Sequence, residues 1–233
     1  MDLVFDIETD DIAATVIHCI VCQDPESGEI FKFKPDQIAA GCKFLADADT
    51  LIGHNIVGFD IPVIKKLTGV DLAGKKLIDT LVLSRLFNPI REGGHSLGSW
   101  GYKLKYPKIN FEEYLTYTPE MLKYCVRDVQ LNTMVFKALS IEVKQFSKDS
   151  VDLEHDVARI MKQQEENGFK FDSFSAEILL AELREKKQKI EDEVHGTFKP
   201  RWVDDKLVTP YIKKDGTLSK RGLTDEEYIR CTN

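Results

Sequence analysis

Leu3-Val4-Phe5-Asp6-Ile7-Glu8-Thr9 is the stretch on which the reading of this chain turns. The apolar run Leu3-Val4-Phe5 predicts a short first strand that stops at two acids. Side chains alternate across a strand, so Asp6 and Glu8 project to the same face. Working outward, Thr15 to Val21 is apolar and β-branched and predicts a second strand. Pro25-Glu26-Ser27-Gly28 reads as a turn, and Ile30 to Phe33 as its hairpin partner. Ala39 to Ala46 fits a helix, and Thr50-Leu51-Ile52-Gly53 a buried strand ending at His54-Asn55. Ile61 to Leu67 and Ile78 to Leu86 read as two further helices, the second around Asp79. Strands first, with helices wrapping them, predict an α/β layer fold.

The second half reads as helical. Thr118-Pro119-Glu120 combines a Thr N-cap, Pro at the first helical position and an acid, which starts a helix running to about Ile141. Another spans roughly Asp152 to Asn167 and stops at Gly168. A third covers about Ser175 to Val194, with Ile178, Leu179, Leu183, Ile190 and Val194 near helical spacing. Lys199 to Arg221 is basic, contains Pro200, Pro210 and Gly216, and reads as a loop or extended arm. The expected organisation is a domain over residues 1–150 and a helical extension with a basic tail over 151–233.

The 233 residues carry 32 Lys+Arg against 39 Asp+Glu, a formal charge of −7, with 42% hydrophobic and 30% charged residues. These proportions are those of a globular protein and exclude a disordered, collagen-like or mucin-like chain. No apolar run approaches the ~18 residues of a membrane span, and the N-terminus lacks the features of a signal peptide. Five cysteines, an odd number, point to reduced thiols in a cytosol-like compartment. The acidic balance excludes nucleic-acid binding by a broad basic face. It leaves open a site that grips phosphates through metal ions, which needs local carboxylates.

Three segments carry that possibility: Asp6-Ile7-Glu8, His54 to Asp60, and Tyr124-Cys125-Val126-Arg127-Asp128. Tyr124 and Asp128 stand four apart and share a helix face. If the segments meet, Asp6, Glu8, Asp60 and Asp128 share one small space. Two like charges ~4 Å apart at an effective dielectric of ~20 repel by roughly 4 kcal/mol, so four need compensation. All-oxygen ligation suits Mg2+ or Mn2+ rather than zinc. Two such ions ~3.5–4 Å apart catalyse in-line phosphoryl displacement.

The order Asp-x-Glu, Asn-x-x-x-Phe-Asp, Tyr-x-x-x-Asp resembles the tyrosine branch of the DEDD exonucleases, with Asp60 54 residues after Asp6 and Asp128 68 residues after Asp60. Ile78 to Leu86, Ser99-Trp100-Gly101-Tyr102, Asp152-Leu153-Glu154-His155 and Asn167 to Asp172 resemble more closely the proofreading domain of family A DNA polymerases from short-tailed bacteriophages. The resemblance covers residues 3–172 well and 173–233 loosely. It implies an RNase H-like (DnaQ-like) fold, a mixed five-stranded sheet flanked by helices. It implies 3′→5′ hydrolysis of single-stranded or frayed DNA with two Mg2+ or Mn2+ ions, in the cytoplasm of a bacterial host cell. Carried over, Asp6, Glu8, Asp60 and Asp128 are metal ligands. Glu8 also approaches the terminal 3′-hydroxyl, with the backbone at Thr9, and Tyr124 positions the attacking water. Asn55 contacts the DNA backbone, Ile12 is an apolar wedge at the terminal bases, and His54 either touches DNA or makes a structural hydrogen bond. Phe59 stands where phage relatives often carry Tyr. No polymerase motif is present, so the expected partner is DNA together with a separate polymerase domain or subunit, and the chain is either a freestanding exonuclease or an excised fragment. Met1, five residues before the first motif, points to a natural start. An exoribonuclease of the same branch and a non-catalytic replisome module are the competing readings.

Other residues read as structural. Cys19 and Cys22 are three apart on a strand, so their thiols point to opposite faces and make no zinc or redox pair. Asp79 fits a helix N-cap better than a ligand. Trp100 and His155 read as packing residues, His95 as a loop residue in packing or DNA contact, and Arg184, Lys186, Lys187 and Lys189 as a solvated helix face.

Overall fold

The N-terminal strand forms as expected, as β1 (Asp2–Thr9). The computed structural model describes residues 1–199 and residues 212, 213 and 219, so most of the basic arm expected over 199–221 lies outside the described residues. Strand β1 pairs antiparallel with β2 (Ile17–Gln23). It pairs parallel with β4 (Thr50–Gly53). β3 (Ile30–Phe33) and β5 (Lys76–Asp79) complete a five-stranded mixed sheet in the order β3-β2-β1-β4-β5.

The alternation of β1 sorts the two faces. Leu3, Phe5 and Ile7 are buried on one side, against Cys42 and Leu45 of α1 (Ile38–Asp47) and Ile61 and Ile64 of α2 (Asp60–Thr68). Val4 faces the other side, with Cys19, Val21 and Ile52, against Cys125 and Val129 of α5 (Pro119–Glu142). Asp6 and Glu8 have the parity of Val4 and therefore point towards α5. Cys22 packs with the first cluster and Cys19 with the second, the opposite faces that their spacing required. Helices α3 (Thr80–Phe87) and α4 (Leu97–Lys103) flank α5, where Leu83, Trp100, Leu131, Val135 and Leu139 form a third cluster. Trp100 is buried and donates from Nε1 to Ser84 Oγ at 3.1 Å, so it serves packing as expected, and Ser84 Oγ also lies 3.0 Å from Nδ1 of the partly exposed His95.

Two elements differ from the sequence reading. The helix expected over Ile78 to Leu86 is two elements: Lys76–Asp79 is the fifth strand, and the helix starts at Thr80. Asp79 separates them by accepting from the Leu81 and Val82 backbone N–H groups as N-cap. The second strand starts at Ile17 rather than Thr15, because the Asp10 carboxylate takes the Thr15 backbone N–H at 2.8 Å and its hydroxyl, closing the turn after β1.

The chain groups into two units, Met1–Phe169 and Lys170–Asn233. Helix α6 (Lys148–Asn167) belongs to the first, where buried His155 accepts the Asp79 backbone N–H at its Nε2, at 2.8 Å. In the second, α7 (Ser173–Thr197) is capped by Asp172, which accepts from Ser175 N at 3.0 Å. On α7 the expected solvated face is exposed, with Lys187 paired to Glu191 and Lys189 to Glu185.

Candidate active site

The acids of α2 and α5 lie near those of β1 and interact with them electrostatically, whereas among the described residues only Asp6 and Glu8, with Cys125, fall in one ligand-distance group. Asp60, the first residue of α2, accepts the Ile7 backbone N–H at 3.2 Å through Oδ1, which fixes it beside the strand. Asp6, Glu8 and Cys125 bring one ligand-type atom each to within 4.8 Å of one another. Asp128, one turn beyond Tyr124 on α5, carries a salt bridge from Lys108 Nζ to Oδ2 at 2.6 Å. Its Oδ1 is buried and has no hydrogen-bond partner. Glu8, Asp60 and Asp128 are each less than a tenth exposed.

Burial and mutual repulsion set the electrostatics. Burial, then the charges of Asp60, Glu8 and Asp128, hold the Asp6 carboxyl well above the usual carboxylate range. Burial raises Glu8 to about 9 and Asp60 to about 7. Burial also raises Asp128, against the opposing pull of Lys108. The acids are thus poorly tolerated as bare anions, and an unpartnered oxygen remains among them. Oxygen donors in a starved, anionic cluster fit a hard divalent cation.

The segment that delivers Asp60 is shaped by the turn after β4. Asn55 adopts φ 67°, and a Cβ on Gly58 would meet its Oδ1 at 2.5 Å, so glycine allows the turn to close. Asp79 fastens the same turn, accepting from Asn55 N at 2.9 Å and Val57 N at 3.1 Å in addition to its helix cap. The Asn55 side chain is exposed. His54 Nδ1 lies 2.9 Å from Thr80 Oγ1, the structural bond that sequence reading allowed, and burial lowers its pKa to about 4.

Thr9 and Ile12 border the same cavity as Glu8. Thr9 is buried and donates from Oγ1 to Asp11 O at 3.0 Å, while Ile12 stands 86% exposed at the tip of the turn. Lys66 of α2 holds that turn by donating to the carbonyls of Ala13 and Ala14. A cavity of about 310 Å3 opens here, bordered by Glu8, Thr9, Ile12, Phe59 and Tyr114.

Sequence reading missed the segment between α4 and α5. It carries Lys108, Phe111 and Tyr114 over the acids. Phe111 stacks on Tyr124 with ring centroids 5.5 Å apart, and Tyr114 meets the same ring edge-on at 6.3 Å. A β-bulge at Glu8/Thr9 gives β2 one extra residue, His18, whose Nε2 lies 3.0 Å from the Tyr114 carbonyl oxygen. No periodicity marks this segment. Its aromatic content was the available signal.

No protein-family model matches the chain. Among solved structures, the apo form of a nuclease superimposes with TM-score 0.56 at 18% identity, covering 72% of this chain and 85% of that one. Brucella melitensis NrnC with bound Mg2+ gives TM-score 0.53 at 16% identity, covering 71% and 83%. This chain has the RNase H-like (DnaQ-like) fold. The DnaQ-like core also superimposes on the POL domain of Pol1 from M. smegmatis with TM-score 0.51 at 17% identity, covering 83% of this chain and 33% of that one. In sequence, the chain is 26% identical to the DNA-directed DNA polymerase of Escherichia phage T7 and 27% identical to that of Enterobacteria phage T3, each over 84% of its length. The resemblance to short-tailed phage polymerases is therefore borne out. The chain spans 37% of the length of these curated relatives. Among the described residues, no helix is long and apolar enough to cross a membrane.

Proposed function

We propose that the chain is a divalent-metal-dependent 3′→5′ exonuclease that releases nucleoside 5′-monophosphates from single-stranded or frayed DNA 3′ ends. It acts freestanding or beside a polymerase domain or subunit, in the cytoplasm of a phage-infected bacterial host. The observation that carries this reading is the pair Asp6 and Glu8 with Asp60 and Asp128 as electrostatic neighbours, the bare Asp128 Oδ1, and a cavity of about 310 Å3 bordered by Glu8. That volume lies at the lower end of ordinary ligand pockets, roughly 300–1,000 Å3, and suits one nucleotide.

Asp6, Glu8, Asp60 and Asp128 are the residues that would hold two Mg2+ or Mn2+ ions. Bound there, such ions supply an ionised water and neutralise charge at the leaving oxygen. The protein's own groups do the positioning. Glu8 and the backbone at Thr9 accept and hold the terminal 3′-hydroxyl in the cavity. Tyr124 orients the attacking water from one helical turn before Asp128. Ile12, exposed beside the cavity, inserts at the terminal bases, and Asn55 meets the strand's backbone. An unstacked end is required because a duplex end keeps its scissile phosphate away from so recessed an acid cluster.

The test is digestion of oligonucleotides labelled at either end, with Mg2+ or Mn2+ and with EDTA. Stepwise shortening from the 3′ end that EDTA abolishes is the expected result. Asp6→Ala combined with Glu8→Ala is expected to stop hydrolysis while leaving most DNA binding. Full digestion by that double variant overturns the site. Matched RNA digested in preference to DNA replaces the substrate class, and no nucleotide release by the unaltered protein leaves a binding module.

A further inference from the structure

Lys108 lies outside every motif, yet its placement is built. Arg127 Nε donates to the carbonyl of neighbouring Pro107 at 3.1 Å, and the Arg127 guanidinium lies 3.6 Å over the Tyr106 ring. Tyr106 in turn donates from its hydroxyl to Gln130 Oε1 at 2.8 Å. Residues 106 and 107 are thus pinned to α5, and the lysine that follows reaches back along that helix. Its ammonium sits 2.6 Å from Asp128 Oδ2 and 4.8 Å from the centre of the Tyr124 ring. The Lys108 side chain is 30% exposed, against 4% for Asp128, so the pair is shielded from water but open at the lysine end.

Lys108 leaves Asp128 Oδ1 free, but a divalent ion on that oxygen and the ammonium on Oδ2 would be like charges on one carboxylate. At such a separation, in a site this dry, they exclude one another more than they coexist. We propose that Lys108 couples ion loading to substrate: its ammonium and a divalent ion are alternative partners of Asp128, and a nucleotide phosphate draws the ammonium away. The lysine stem is flexible and its outer end is exposed, which permits the exchange. Ions then settle fully only when a phosphate is present to receive Lys108. The phosphate half of this inference rests on the exonuclease reading, whereas competition for Asp128 does not.

The experiment is titration of the full chain with Mn2+, free ion being read by electron paramagnetic resonance, with and without thymidine 5′-monophosphate. For the unaltered protein the nucleotide is expected to tighten Mn2+ binding about tenfold, the size of a typical coupling. Lys108→Met is expected to bind Mn2+ about tenfold tighter without nucleotide and to gain little from adding it. Lys108→Arg keeps the charge and is expected to follow the unaltered pattern. Unchanged or weaker Mn2+ binding by Lys108→Met without nucleotide overturns the proposal. So does equal tightening by the nucleotide in the unaltered and Met proteins. Should Lys108→Met not fold, Lys108→Gln takes its place with the same outcomes. An unaltered protein that digests no DNA defeats the exonuclease reading, while the Mn2+ titration still decides the competition.

Discussion

Asp79 shows how much of the site depends on a residue that is not a candidate ligand. Its two carboxylate oxygens accept from Asn55, Val57, Leu81 and Val82, and its own N–H is taken by His155. One half-turn of helix and the segment leading to Asp60 therefore share a single anchor. Asp79→Ala leaves these donors unmatched in a site only 1% exposed. The expected loss is about 2–4 kcal/mol of unfolding free energy, measured by urea denaturation. Hydrolysis is expected to fall with it, because the turn that delivers Asp60 is loosened. The cap was legible in the sequence, since Asp ahead of a helical run is a local signal. The reach back to Asn55 and Val57, 24 and 22 residues away, was not, because no short-range pattern encodes it. The same holds for Lys108. A lysine in a loop reads as solvated until the fold puts Asp128 beside it.

Among the elements, the legible ones announce their own ends. Helix α5 runs Pro119–Glu142 behind the Thr118 cap, which accepts from Met121 N at 3.1 Å, and the sequence reading differed from it by a single residue at the C-terminus. Strand β5 hid because its four residues merge with the apolar run of α3, and only pairing with β4 tells them apart. Helix α4, capped by Ser96, is seven residues long, too short for periodicity to show. The irregular segment from Leu104 to Tyr117 is the element sequence analysis missed and the site uses. Its Phe111 braces the Tyr124 ring, and aromatic pairs of this kind are worth about 0.5–1.5 kcal/mol. Phe111→Ala is expected to slow oligonucleotide hydrolysis several-fold while shifting the melting temperature by only a few degrees. An equal rate in that variant would show that Tyr124 is held by α5 alone.

At the scale of the whole molecule, the acid cluster sets a pH dependence of unusual sign. Glu8 and Asp60 have folded-state pKa values raised from 4.5 to about 9 and from 3.8 to about 7. The native state therefore holds more protons than the unfolded chain between those limits. Their contribution to stability is complete below the lower values and is lost as pH rises through the upper ones. In EDTA, the melting temperature is expected to fall steadily between pH 5 and pH 9, both about the limits set by these groups. Mg2+ or Mn2+ is expected to restore it, and most strongly at the alkaline end, since ions bind the ionised acids. Calorimetric scans with and without chelator check both statements. A melting temperature that rises with pH in EDTA would mean that the acids are not as closely gathered as the structure has them.

The acids come from three distant stretches of chain: β1, the start of α2, and the middle of α5. The first hundred residues of this sequence contain Asp6, Glu8 and Asp60, but neither Asp128 nor Tyr124. A chain that lacks α5 would therefore hold only three of the four acids that the proposed function requires. Under the proposed function, no site could be complete before α5 packs on the sheet.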